Sequence, residues 1–137
     1  MQLNFSIPGN DMDLAGIASS TLKKKLQQIG VDNSIIKKTV IALYEAEINM
    51  VIHGGGGNIT IDITPENIIC ILVDHGPGIA DIGLAMQEGY STATDAIREM
   101  GFGAGMGLPN IKRNSDEMEI NSVPGKGTTV KIIEKLG

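Results

Sequence analysis

Polar and apolar positions divide the chain into short elements. Residues 2–7 alternate, with Leu3, Phe5 and Ile7 on one side, and this predicts a strand. Pro8-Gly9-Asn10-Asp11 reads as a turn that can also cap a helix. Helical spacing follows. Leu14, Ile17 or Ala18, Leu22, Leu26 and Ile29 form an inward stripe, and Gly30 stands where a left-handed residue ends a helix. Asp32, Asn33 or Ser34 caps a second helix that runs to about His53. Its apolar stripe is Ile36, Val40, Leu43 and Met50, and the run Gly54 to Gly57 stops it.

The second half reads mainly as strand pairs. Asn58 to Ile63 alternates like a half-buried strand, and Pro65-Glu66-Asn67 turns into a more fully apolar one, Ile68 to Val73. Asp74-His-Gly-Pro-Gly78 breaks that strand. A short helix is predicted near Asp81 to Met86, then a lid-like stretch from Glu88 to Ala104. A helix opens at Leu108-Pro109 and reaches about Asn114; proline suits a first turn, where its missing N–H would have no partner. Glu117 to Val123 and Thr128 to Ile133 form a last hairpin across Pro124-Gly125-Lys126-Gly127. The expected fold class is α/β of the α+β kind: a two-layer sandwich, its mixed sheet mostly antiparallel, with helices on one face.

Composition narrows this picture. The chain has 137 residues, which fits one domain with one core. With two Tyr, two Phe and no Trp, that core must be aliphatic. The net charge of −5 argues against a nucleic-acid scaffold, which shows a basic stripe. The dense run Lys23-Lys24-Lys25 reads as a solvated helix face. Cys70, the one cysteine, sits in an apolar run and reads as a small buried hydrophobe. No stretch approaches the roughly 20 apolar residues that span a bilayer, and no signal pattern opens the chain. A cytoplasmic location away from membranes is expected.

Three clusters can carry chemistry. Glu45, Asn49 and His53 recur every fourth residue, so they share a helix face that is either a solvated surface or the wall of a polar cleft. Asp74 follows six apolar residues at the end of a strand. A carboxylate there can accept a hydrogen bond from an exocyclic amine, and Gly76 and Gly78 let a flat ring approach the backbone. The run from Gly101 to Gly107 precedes a helix start, where free N–H groups suit a phosphate. The P-loop pattern is absent, and a lid rather than a strand precedes these glycines, so a Rossmann reading fails as well.

These segments, in this order, resemble the ATPase superfamily of DNA gyrase, histidine kinases, the ninety-kilodalton heat-shock chaperone and the MutL mismatch-repair protein. Within it the chain is most similar to small anti-sigma-factor serine/threonine kinases and their stress-switch relatives, whose ATP-binding domain has the Bergerat-type fold. The resemblance is carried by Glu45-Ala-Glu-Ile-Asn49, Asp74-His-Gly-Pro-Gly-Ile-Ala-Asp81, Gly89-Tyr-Ser-Thr92, Gly105-Met-Gly-Leu-Pro-Asn-Ile-Lys112 and Pro124-Gly-Lys-Gly-Thr-Thr-Val130. It implies ATP and Mg²⁺ as cofactors, with Asn49 holding the metal and Glu45 as general base toward a protein serine. Asp74 would receive the adenine amino group, with Thr128 nearby through water. Gly76 and Gly78 would shape the adenine pocket, and Gly103, Gly105 and Gly107 would hold phosphates. Arg98 would reach the terminal phosphate. Further nucleotide contacts are implied at His53, Ile79, Ala80, Ser91 and Thr92, and at Ala104, Met106 and Leu108. Glu47 departs from the pattern, since it falls on the core side of its helix where relatives carry a small or apolar residue. The four glycines after His53 are also unusual.

The resemblance implies a kinase that phosphorylates a small anti-sigma-factor-antagonist-type protein and controls transcription by partner switching, with a sigma factor as a second partner. Family analogy also admits a homodimer. The alternative is a non-catalytic module whose partner affinity is gated by nucleotide. The ATPase half of a histidine kinase is disfavoured, because neither His53 nor His75 sits in a dimerising helical hairpin.

Overall fold

The computed structural model describes residues 1–9, 15–76 and 107–136. Their element order is β1 (Gln2–Pro8), α1 (Ile17–Gln28), α2 (Asn33–Gly54), β2 (Gly56–Ile63), β3 (Asn67–Asp74), α3 (Gly107–Arg113), β4 (Glu117–Val123) and β5 (Gly127–Lys135). The strands form one five-stranded sheet in the order β1-β2-β3-β5-β4. Every pairing in it is antiparallel. The two hairpins read from the alternation are present, and the expected α+β architecture is borne out. The short helix near Asp81–Met86, the lid at 88–104 and Leu14 lie outside the described residues.

The alternation decides which side of each strand meets the helices. Ile59, Ile61 and Ile63 of β2, Ile68, Cys70 and Leu72 of β3, and Val130 and Ile132 of β5 are all buried. Leu22 and Leu26 of α1 and Ile36, Leu43, Met50 and Val51 of α2 cover them. Leucine and isoleucine do the work that aromatic residues do elsewhere. Burial of each contributes roughly 1.5–3 kcal/mol. One detail of the inward stripe needs correction. Ile29 is 49% exposed, because α1 ends at Gln28 and Gly30 turns the chain with φ 80°. Val40 is half-buried and packs against the core as expected, next to fully buried Thr39, whose hydroxyl donates to the Ile35 carbonyl at 2.7 Å.

The capping of the two long helices differs. Asp32 caps α2 locally, its Oδ1 accepting from Ser34 N at 2.8 Å. α1 has no such local cap: Gly16 precedes it with φ 99° and offers no side chain. Glu47 of α2 supplies the missing acceptor. Its Oε2 accepts from Gly16 N at 2.9 Å and Ala18 N at 3.1 Å, and its Oε1 from Ser19 N at 2.8 Å. This explains an acidic residue on the core side of α2. Glu47 is fully buried, yet its charge meets the N–H groups and dipole of a helix start.

A second buried carboxylate ties the far end of the sheet to α2. Glu134 of β5 is fully buried. Its Oε1 accepts from Asp116 N at 2.8 Å and lies 3.6 Å from Lys38 Nζ. Lys38 also pairs with Asp116 at 2.6 Å, and Asp116 Oδ2 accepts from Lys135 N at 2.6 Å. Lys38 is the cation that compensates Glu134. Lys38→Ala should therefore lower stability by about 1–3 kcal/mol, the cost of leaving a buried charged group poorly satisfied. Adding Glu134→Gln to Lys38→Ala should recover part of that loss. Urea unfolding of the single and double variants measures both.

Candidate functional site

The residues that line the site converge where three chain segments meet the end of β3. Asp74 is the last residue of that strand. Its Oδ1 accepts from Gly76 N at 3.0 Å and from Thr128 N at 3.2 Å, so the carboxylate is fixed by the turn after β3 and by the start of β5. Both donors engage Oδ1, and neither reaches Oδ2. Thr128 is 8% exposed, and its hydroxyl lies 2.9 Å from the Ser122 hydroxyl on β4. Thr128 thus stands beside Asp74, its backbone N–H bonded to the carboxylate.

Glycines make this convergence possible. A Cβ on Gly54, at the end of α2, would lie 2.4 Å from Asp74 Cγ. On Gly76 it would lie 2.7 Å from Gly54 Cα, and on Gly127 2.1 Å from the Asp74 carbonyl oxygen. Gly57 is pressed on the Val73 carbonyl in the same way, at 2.0 Å. The run after His53 is thus the packing surface for Asp74 as well as a helix stop. Gly54 and Gly127 were missed as site residues. Their signal was the clustering of glycine at a helix end and at a hairpin, both of which have simpler explanations as turns.

The helix face opposite Glu47 carries the other groups. Glu45, Asn49 and His53 are all half-buried, so their row is not a fully solvated face. Burial raises the Glu45 carboxyl above its usual pKa, and a hydrogen bond with the Asn110 side chain of α3 opposes that rise. Asn110 is a third residue missed in the sequence. It lay inside a motif whose glycines drew the attention. Burial also lowers the His53 pKa, while the nearby Asp74 charge pulls it back up. His53 thereby links the row on α2 to the carboxylate on β3. Gly107 opens α3 and Leu108 is half-buried beside it. Gly78, Ile79, Ala80, Ser91, Thr92 and Arg98 lie outside the described residues, as do Gly103, Ala104, Gly105 and Met106.

A sheet covered by helices on one face, with a strand-end Asp fixed among glycines beside a helical Glu-x-x-x-Asn, is the arrangement of an ATPase-type domain. The chain belongs to the histidine kinase-like ATPase domain family, whose pattern matches residues 9–133. It is 37% identical over 99 residues to the serine/threonine-protein kinase RsbT of Bacillus subtilis, an overlap that covers 69% of this chain and 68% of RsbT. It is 33% identical over 142 aligned positions to the anti-sigma F factor of Thermoanaerobacter sp. strain X514, covering 100% and 94% of the two chains. Among solved structures it resembles the RsbU and RsbW domains of a Mycobacterium tuberculosis protein, with TM-score 0.67 and 20% identity over 99% of this chain and 32% of that one. The SiaB–SiaC complex of Pseudomonas aeruginosa gives TM-score 0.65 and 16% identity, over 96% and 88%. The family read from the sequence motifs is borne out. Among the described residues no helix is long and apolar enough to cross a membrane.

The His53 environment has a pH consequence. A histidine whose folded pKa lies below its unfolded value binds its proton more readily in the unfolded chain. Its contribution to stability is therefore present above the ordinary value near 6.5 and is lost as pH falls through the lowered folded value. Between pH 7.5 and pH 5 the urea midpoint of the wild-type protein should fall more than that of His53→Gln. The difference between the two proteins isolates His53 from the carboxylates that titrate lower.

Proposed function

We propose that this chain is a serine/threonine protein kinase that binds Mg-ATP in the cleft between α2 and the end of β3. The observation that carries this reading is the immobilised Asp74 carboxylate, with Oδ1 held by two backbone N–H groups and Oδ2 packed over Gly54. A fixed acceptor in a niche without Cβ atoms suits the exocyclic amine of adenine. The family match and the relatives named as a serine/threonine kinase and an anti-sigma F factor support the same reading.

The residues present fit a magnesium nucleotide. Among the described residues no group of three or more His, Cys, Asp or Glu side chains forms a metal cage. Mg²⁺ does not need one where nucleotide phosphates and water fill most of its octahedron. Asn49 would hold it through the side-chain amide oxygen. When bound, the metal supplies charge neutralisation at the phosphates. Glu45, partly desolvated, is positioned to orient a serine hydroxyl and accept its proton as that oxygen attacks the γ-phosphorus and ADP leaves. The Asn110 side chain favours the charged form of Glu45 against the effect of burial. Arg98 and the glycines up to Gly107 are assigned to the phosphates on the motif alone. The proposed acceptor is a serine on a small antagonist-type protein, with a sigma factor as second partner and a cytoplasmic setting. The SiaB–SiaC complex provides a structural neighbour of this fold that engages a protein partner.

Transfer of labelled γ-phosphate to an antagonist-like protein encoded alongside this chain tests the proposal. Glu45→Ala should lower that transfer by roughly 100-fold or more while ATP still binds, as expected for loss of a general base. Full transfer by Glu45→Ala would refute the catalytic assignment, and binding without transfer by the wild-type protein would mark a nucleotide-gated module. Gly54→Ala should displace the Asp74 carboxylate, since its methyl would overlap Asp74 Cγ. Calorimetry should show ATP affinity reduced by about tenfold or more, a loss equivalent to one charge-assisted hydrogen bond.

A further inference from the structure

Glu47 sits between the two residues assigned to the chemistry. Successive helical residues are about 100° apart, so Glu47 projects about 180° from the midpoint of Glu45 and Asn49. One side of α2 carries the proposed site and faces Asn110 of α3. The other carries a carboxylate locked to the first turn of α1 by Gly16 N, Ala18 N and Ser19 N. All three bonds lie between 2.8 and 3.1 Å, and Glu47 is fully buried. A roll of α2 that moved Glu45 and Asn49 would swing Glu47 by the same angle. It would leave a buried charge and the start of α1 unsatisfied together, which is strongly opposed.

Aliphatic packing alone permits small rolls of one helix on another. Fixed hydrogen bonds to a charged group do not. Tyr44 lies on the same junction: a Cβ on Gly16 would come 3.0 Å from its ring. The left-handed Gly16, with φ 99°, lets its N–H enter this arrangement.

We propose that Glu47 is a positioning residue: it pins the roll of α2 against α1 and so sets the place of Asn49 and Glu45 in the nucleotide site. The inference rests on the functional reading above, and its test separates the two. Glu47→Gln keeps the side-chain shape but puts an NH₂ group against backbone N–H donors. ADP affinity is measured by calorimetry with and without Mg²⁺ for wild type, Glu47→Gln and Leu26→Val. Leu26→Val loosens α1 on α2 away from the Glu47 contact and serves as the stability control. Adenine recognition at Asp74 lies on β3, so Mg²⁺-free ADP affinity should stay within about twofold of wild type in every variant. The gain in affinity on adding Mg²⁺ should shrink at least fivefold in Glu47→Gln and persist in Leu26→Val, whatever their urea midpoints. If Glu47→Gln fails to fold, Glu47→Asp, which keeps the charge on a shorter arm, replaces it. An unchanged Mg²⁺-dependent gain in the Glu47 variant would overturn the proposal.

Hydrogen exchange gives a readout that needs no ligand. Glu47→Gln should accelerate exchange in residues 45–49 together with residues 16–20. Acceleration confined to residues 16–20 would show a helix cap and nothing more, and would overturn the proposal. If wild type binds no Mg-nucleotide at all, the functional reading falls and the exchange pattern alone decides on Glu47.

Discussion

The structure turns on how closely backbone packs around the Asp74 carboxylate. Glycines from three different segments close on this point at distances no Cβ could occupy: Gly54 and Gly127 approach Asp74, and Gly76 approaches Gly54. The end of α2 supplies Gly54, the turn after β3 supplies Gly76, and the start of β5 supplies Gly127. Asp74 could not be held there by side chains of ordinary size. A buried or half-buried carboxylate is costly unless its lone pairs are served, and here backbone N–H groups serve them. The result is an acceptor that does not have to reorganise when a ligand arrives.

The same economy appears on α2. This helix is the central element of its layer, packed against α1, α3 and the sheet. Along its later turns stand four buried or half-buried polar groups whose environments differ. Glu45 meets an amide on α3, Glu47 meets the start of α1, Asn49 is half-buried, and His53 senses Asp74. Burial pushes both Glu45 and Glu47 toward the neutral form. Donors on Ser19, Gly16 and Ala18 oppose that push at Glu47, the Asn110 amide opposes it at Glu45, and burial prevails at both. Two carboxylates two residues apart thereby sit in different surroundings, one at the start of α1 and one beside α3.

Much of the fold was legible in the sequence because its signals are local. Alternation located β1 to β5, and Asp32 and Gly30 marked helix ends by known cap chemistry. The misjudged positions lie where a helical stripe meets its own terminus. Ile29 kept the period but fell past the last turn of α1. The order of strands was not legible, since nothing in β5 announces that it pairs with β3 before β4. Glu47 was visibly out of pattern, but its partners are backbone groups about thirty positions away, and no residue type encodes a free N–H. Gly54 and Asn110 were hidden for the same reason: each matters through a long-range neighbour. Asp74, Glu45 and Asn49 were legible because a motif fixes them in relation to one another.

The central claim is that Asp74 selects a nucleobase by its exocyclic amine. Calorimetry with the wild-type protein, comparing ATP and GTP in the presence of Mg²⁺, tests it most directly. Guanine presents a carbonyl where adenine presents the amine, so two acceptors would face each other across the site. The account expects saturable binding of ATP and at least tenfold weaker binding of GTP. Equal affinity for the two nucleotides, or no binding of ATP by the folded protein, would contradict it.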